Sequence, residues 1–147
     1  MLRRCAMRII SNIAVIAIAL LLAACGPSPA EVEQAQAADA RAREWLALID
    51  AGDFGGSWDT AARLFQARIE KDEWEARSWR VRPSIGRPRD RELVAARYTA
   101  TVPWEPPGEH VFVQYRIEND GRTSVESLTM RLDAGQWKTL SYFIRTQ

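Results

Sequence analysis

Apolar and polar positions change period twice along this chain. From Ile13 to Leu22 the run is apolar and unbroken. From Ser28 to Val81 apolar residues recur three or four apart, and from Val94 to Ile144 they recur every second position. Such a pattern predicts a signal segment, then amphipathic helices, then half-buried strands.

In the helical half, Ser28 is placed to cap, Pro29 suits a first turn and Glu31 can complete a capping box. Val32, Ala35, Ala38, Ala42, Trp45 and Ile49 share one face, and Gly52 stops the helix. That face is thin until Trp45, so the first half reads as a partly exposed stalk and the second as docked. Asp53 to Gly56 reads as a turn. A second helix is expected from near Ser57, with Trp58, Ala61, Ala62, Phe65 and Ile69 inward. A third segment runs from about Asp72 to Val81, with Trp74, Ser78 and Val81 on one side. Pro83, Gly86 and Pro88 end this half.

The strand half follows. Val94, Ala96, Tyr98, Ala100 and Val102 mark a first strand, and Val111, Val113, Tyr115 and Ile117 a second. Glu126, Leu128, Met130 and Leu132 mark a third, and Leu140, Tyr142 and Ile144 a fourth. Asn119-Asp120-Gly121 and Asp133-Ala134-Gly135 are hairpin signals. The expected fold is α+β, with the N-terminal helices packed on one face of a four-stranded antiparallel meander.

The amino end adds an address. Arg3, Arg4 and Arg8 precede the apolar run, and Ala23-Ala24 follow it. The run is shorter than the ~20 residues that span a bilayer. Leu22-Ala23-Ala24-Cys25 resembles the lipobox of bacterial lipoproteins, which implies cleavage before Cys25 and acyl chains on its sulfur and α-amine. The division expected is a signal peptide over 1–24, a lipidated tether over 25–29 and a single α+β domain over 30–147. The expected place is the bacterial cell envelope, lipid-anchored and facing the periplasm. Gly26, where inner-membrane retention would call for Asp, favours the outer membrane.

Processing changes the composition. The first 24 residues hold three of the 20 basic residues and none of the 19 acidic ones, so 17 basic and 19 acidic residues remain. That near-balance argues against a nucleic-acid partner. Cys5 leaves with the leader and Cys25 is acylated, so neither thiol serves a disulfide, a metal or catalysis. Stability must come from the core, to which six tryptophans can contribute.

Candidate chemistry is sparse. His110, the only histidine, lacks a second ligand type and reads as a surface residue at a loop edge. Glu126 shares a face with Leu128, Met130 and Leu132. A carboxylate there needs a cation, such as Arg82 or Arg91, or else acts as an acid or base in a pocket with Tyr98, Tyr115 and Tyr142. The stretch from Arg77 to Arg97 holds seven arginines. Arg87, Arg89 and Arg91 are candidates for contact with an anionic envelope component, the alternative being a solvated loop with ion pairs. No phosphate-cradling loop, nucleophile elbow or metal cluster appears, and no cofactor is expected.

From Trp45 to Ile144 the chain resembles a bacterial family, domain of unknown function 4019, whose members are small exported proteins, often lipoproteins. The resemblance lies in Ala47-Leu48-Ile49-Asp50-Ala51-Gly52-Asp53, Ser57-Trp58 with Ala62 and Phe65, and Trp74. It continues through Arg82, Ile85-Gly86, Arg91, Gln114-Tyr115, Glu126 with Thr129, and Trp137-Lys138 before Tyr142. It implies a cone-shaped outline similar to nuclear-transport-factor-2-like proteins, and it assigns no activity. Three functions are compatible. The first is a non-catalytic envelope lipoprotein that binds a partner protein or envelope component. The second is a small-ligand binder or enzyme using Glu126 and the tyrosines. The third is an envelope assembly or structural accessory.

Overall fold

The computed structural model describes residues 26–146 apart from 87, 89 and 120. The expected signal peptide, Cys25, Arg87 and Arg89 lie outside the described residues. No helix among the described residues is long and apolar enough to cross a membrane.

Helix α1 (Pro29–Ala51) opens on the expected capping box. Ser28 Oγ accepts from the Glu31 N–H at 3.3 Å, and the Glu31 carboxylate accepts from the Ser28 N–H at 2.6 Å. It closes at Gly52, whose φ of 77° suits a residue without Cβ. The stalk expectation needs correction. Burial starts at Ala35 and continues through Ala38, Ala42, Trp45, Leu46 and Ile49. Gln34 already meets the sheet, accepting from the Trp137 indole N–H at 3.2 Å. The alanines let the helix backbone lie close to the strands, so a face thin in side-chain volume is still covered.

Helix α2 (Phe54–Thr60) occupies what reads as a turn in the sequence. Its cap is Asp53, which accepts from the Gly56 N–H at 2.9 Å. A side chain at Gly56 would run into the Asp53 carboxylate, and one at Gly55 into Glu75. Close approach thus explains the glycines better than turn geometry does. Ser57, expected as the cap, is buried. Its hydroxyl donates to the Phe54 carbonyl at 2.7 Å and accepts from the Trp74 indole at 2.9 Å. A single turn, α3 (Arg63–Gln66), follows an extended Ala61, and α4 (Lys71–Ile85) follows after that. Helix α4 runs through Pro83 and stops at Gly86, φ 72°. So near the carboxyl end, proline removes one backbone bond without ending the helix.

Strands β1 (Asp90–Thr99), β2 (His110–Asn119), β3 (Arg122–Asp133) and β4 (Gln136–Thr146) form one antiparallel sheet in chain order, and the fold is α+β. Helices pack on the sheet, and the β3–β4 turn has Ala134 and Gly135 at positive φ, as a two-residue hairpin requires. Val111, Val113, Tyr115 and Ile117 on β2, with Glu126, Leu128 and Met130 on β3, are buried against them as their alternation predicts.

Two bulges break that alternation. On β1, Leu93 pairs with Tyr115 and Ala95 with Gln114, leaving Val94 as the extra residue. Val94, expected inward, is exposed, and Val102 lies beyond the strand. On β4, Thr129 pairs with Ser141 and Met130 with Thr139, so Leu140 is extra. The β1 bulge sets the site, because it brings odd-numbered Arg91 and even-numbered Ala96 and Tyr98 to the same side: their partners are the buried Ile117, Val113 and Val111.

The core centres on Trp45. Its ring lies 6.1 Å from that of Trp74 and 5.3 Å from that of Tyr142, and Phe65 meets Trp74 edge-on at 5.0 Å.

Candidate functional site

Five elements send one polar side chain each to a common point under the helices. Asp50 comes from the last turn of α1, Arg82 from α4, Arg91 from β1, Glu126 from β3 and Tyr142 from β4. Glu126 is fully buried, while the side chains of Arg82 and Arg91 are 12% and 15% exposed. Arg91 Nε donates to Glu126 Oε2 at 2.7 Å, and its Nη1 to Asp50 Oδ2 at 2.9 Å. Arg82 donates to Glu126 Oε1 at 3.3 Å and bonds Asp50 through Nη2. The Tyr142 hydroxyl donates to Glu126 Oε1 at 2.8 Å. Each carboxylate therefore touches both guanidiniums. Two negative and two positive charges close into a ring that can be buried because it is neutral and hydrogen-bonded.

The shifts within the ring follow. Burial opposes the Arg91 charge, but hydrogen bonds to Asp50 and Glu126 outweigh it and raise its pKa. Burial, and then the Glu126 charge, push the Tyr142 hydroxyl upward, so it stays a neutral donor.

Beside the ring, a cavity of about 460 Å³ opens between α4 and β4. Its walls are chiefly Phe54, Phe65, Trp74, Leu140, Phe143 and Ile144, with Ser78, Arg82 and Tyr142 as polar groups and Glu73 and Arg77 also lining it. Glu126 is not among the lining residues. It lies behind Arg82 and Tyr142, which are shared by ring and cavity.

Of the tyrosines grouped with Glu126 in the sequence, the structure brings one. Tyr115 is paired with Glu126 across β2 and β3, yet its hydroxyl bonds Asp39 and Arg43 lies over its ring at 5.0 Å. Its pKa is raised by burial first and by Asp39 second. Tyr98 donates to Glu109 at 2.7 Å at the other end of the sheet. Arg91, grouped with Arg87 and Arg89 as a surface contact, has its guanidinium in the ring.

Asp50 is the residue that sequence reasoning overlooked. An acid in the last turn of a helix that has no base there is poorly placed against the helix dipole. That local conflict was the available signal, and two guanidiniums from elsewhere resolve it.

His110 is not at the surface: it is fully buried. The loop before β2 covers it, held by Arg131 donating to the Pro106 and Pro107 carbonyls at 3.0 and 2.8 Å. Arg131 Nη1 also lies 3.0 Å from His110 Nε2. Because a guanidinium only donates, Nε2 must accept, which assigns the ring proton to Nδ1. Nδ1 makes no hydrogen bond of normal geometry. Burial, and then the Arg131 charge, lower the His110 pKa, against smaller opposing effects of Gly108 and Glu105. In the unfolded chain this histidine takes up a proton as the pH falls through about 6.5, while the folded one resists. Stability from this group is thus present above that pH and lost on acidification. Urea midpoints measured across this range should fall, and His110→Asn should flatten that part of the profile. An unchanged profile would contradict the assignment.

No curated protein and no solved structure matches the chain. Residues 41–142 match the model of a family described as protein of unknown function, DUF4019, and the chain belongs to that family.

Proposed function

We propose that this chain is a non-catalytic envelope domain, tethered by lipid on Cys25, that holds a small and largely apolar ligand in the cavity between α4 and β4. The cavity carries the proposal. Its volume falls in the range of roughly 300–1,000 Å³ usual for ligand sites, and its aromatic and aliphatic walls surround a few convergent polar groups. Tyr142 and Arg82 are anchored from behind by Glu126, so a ligand would meet them already oriented. Acid–base chemistry by Glu126 gains no support, because that carboxylate accepts from Arg82, Arg91 and Tyr142 and does not line the cavity. Helices packed on an antiparallel sheet, with a cavity between α4 and the outer strand β4, also support a nuclear-transport-factor-2-like cone.

The test uses the uncharged aromatic probe N-phenyl-1-naphthylamine. Saturable one-to-one enhancement of its fluorescence, with energy transfer from tryptophan, is the expected result. Ser78→Phe should abolish it by filling the cavity, while overpacking costs about 1–3 kcal/mol of stability. Equal binding by a folded Ser78→Phe variant, or no saturable binding by the wild type, would overturn the ligand reading. Mass spectrometry of the membrane-extracted protein checks the tether: a bare Cys25 or an intact leader would overturn it.

A further inference from the structure

We propose that the loop between β1 and β2, with Trp104 at its tip, is a second membrane contact of this domain. It rests on the lipid tether proposed above.

Three contacts fix the direction of α1 along the sheet. Near its start, Gln34 accepts from Trp137 at 3.2 Å. At its middle, Asp39 bonds Tyr115, and at its end Asp50 bonds Arg91 and Arg82. Trp137 pairs with Leu132, whose N–H donates to the Glu109 carbonyl at 3.0 Å. The start of α1, where the chain emerges from Cys25, and the loop over 100–109 therefore share one pole. Glu31 of the capping box is close enough to add to the raised pKa of Tyr98, whose main cause is the hydrogen bond to Glu109. The described residues before α1 are only Gly26, Pro27 and Ser28, too short a link to carry this pole far from an acylated cysteine.

At that pole Trp104 is 75% exposed, the most exposed of the large apolar side chains described. Its flanks, Pro103, Pro106 and Pro107, are exposed too and carry no charge. The one acid beside it, Glu105, is bound by Arg68 at 2.6 Å and its pKa is lowered by that bond. The loop is held by its prolines, by Arg131 on two carbonyls and by the Glu105–Arg68 pair, so Trp104 is presented outward with little ordering left to do. A tryptophan-tipped loop whose two acids, Glu105 and Glu109, are each bonded to a neighbouring side chain matches the headgroup zone of a bilayer, where an amphipathic indole is favoured. Arg91, one of the arginines considered for an anionic surface, does not compete for this place. Arg91 lies at the Asp50 end of α1, and a helix of 23 residues is about 35 Å long.

The experiment reconstitutes the mature acylated protein in phosphatidylcholine vesicles whose chains are brominated near the headgroup. Bromine quenches nearby indoles, so comparing wild type with Trp104→Phe isolates this residue from the other tryptophans. Both proteins should float with the vesicles. The wild type should be quenched, and Trp104→Phe should lose nearly all of that quenching with an unchanged thermal midpoint. Equal quenching in the two floated proteins, or none in either, would overturn the loop contact while leaving the tether standing. Failure of the wild-type protein to float would overturn the tether itself, and the loop contact with it.

Discussion

Replacing Glu126 by Gln should lower stability by about 3–5 kcal/mol, read as a fall in the urea midpoint at unchanged slope. The change leaves Arg82 and Arg91 sharing one carboxylate, Asp50, in a site from which water is largely excluded. Most of the loss is the cost of an unbalanced buried cation rather than the worth of one bond. A second variant separates these. Glu126→Leu combined with Arg91→Met removes one charge of each sign and keeps the Asp50–Arg82 pair, so it should recover most of the loss. A drop under about 1 kcal/mol for Glu126→Gln, the range of exposed pairs, would mean that the ring is hydrated and carries little of the fold.

The second large effect belongs to Trp45. Trp45→Ala should cost about 3–5 kcal/mol by leaving a cavity under Trp74 and Tyr142. It also strands the Ser57 carbonyl, which accepts from the Trp45 indole N–H at 2.7 Å in the buried core. Trp45→Phe keeps most of the apolar volume but loses that donor, so it should cost about 1–3 kcal/mol. Urea unfolding followed by circular dichroism distinguishes the two. Equal losses for Phe and Ala would place the whole effect in the hydrogen bond instead of the packing. Because Tyr142 rests on Trp45, the Ala variant should also weaken binding of N-phenyl-1-naphthylamine.

The hairpins, the capping box and the inward carboxylate were legible because each depends on residues near one another in sequence. Alternation over β2 and β3 placed Glu126 on the covered face, where burial then demanded a cation, and Arg82 and Arg91 both answer. What stayed hidden is a matter of phase. Val94 reads as one more inward residue until the bulge is known, and without the bulge Arg91 would point away from Glu126. Gly55 and Gly56 have poor helix propensity and read as a turn, yet inside the helix they make room for the close approach of the Asp53 and Glu75 side chains. Tyr98 and Tyr115 lie on the covered side of the sheet with Tyr142, but alternation reports only a side. Their hydroxyls find Glu109 in the loop before β2 and Asp39 in the middle of α1, both away from the ring.

The bulge at Val94 bears on more than the phase of one strand. Strand β1 is an outer strand of the sheet, with Leu93 and Val94 uncovered. An outer strand with free backbone groups invites the same strand of another molecule to dock alongside it. On the lipid tether proposed above, chains confined to two dimensions would meet far more often than chains dissolved in three. The irregular spacing of backbone groups at Val94, set among Asp90, Glu92 and Arg97, denies such a neighbour a regular ladder to extend. The kink that delivers Arg91 to the interior thus also leaves the outer strand a poor template for strand-to-strand polymerisation.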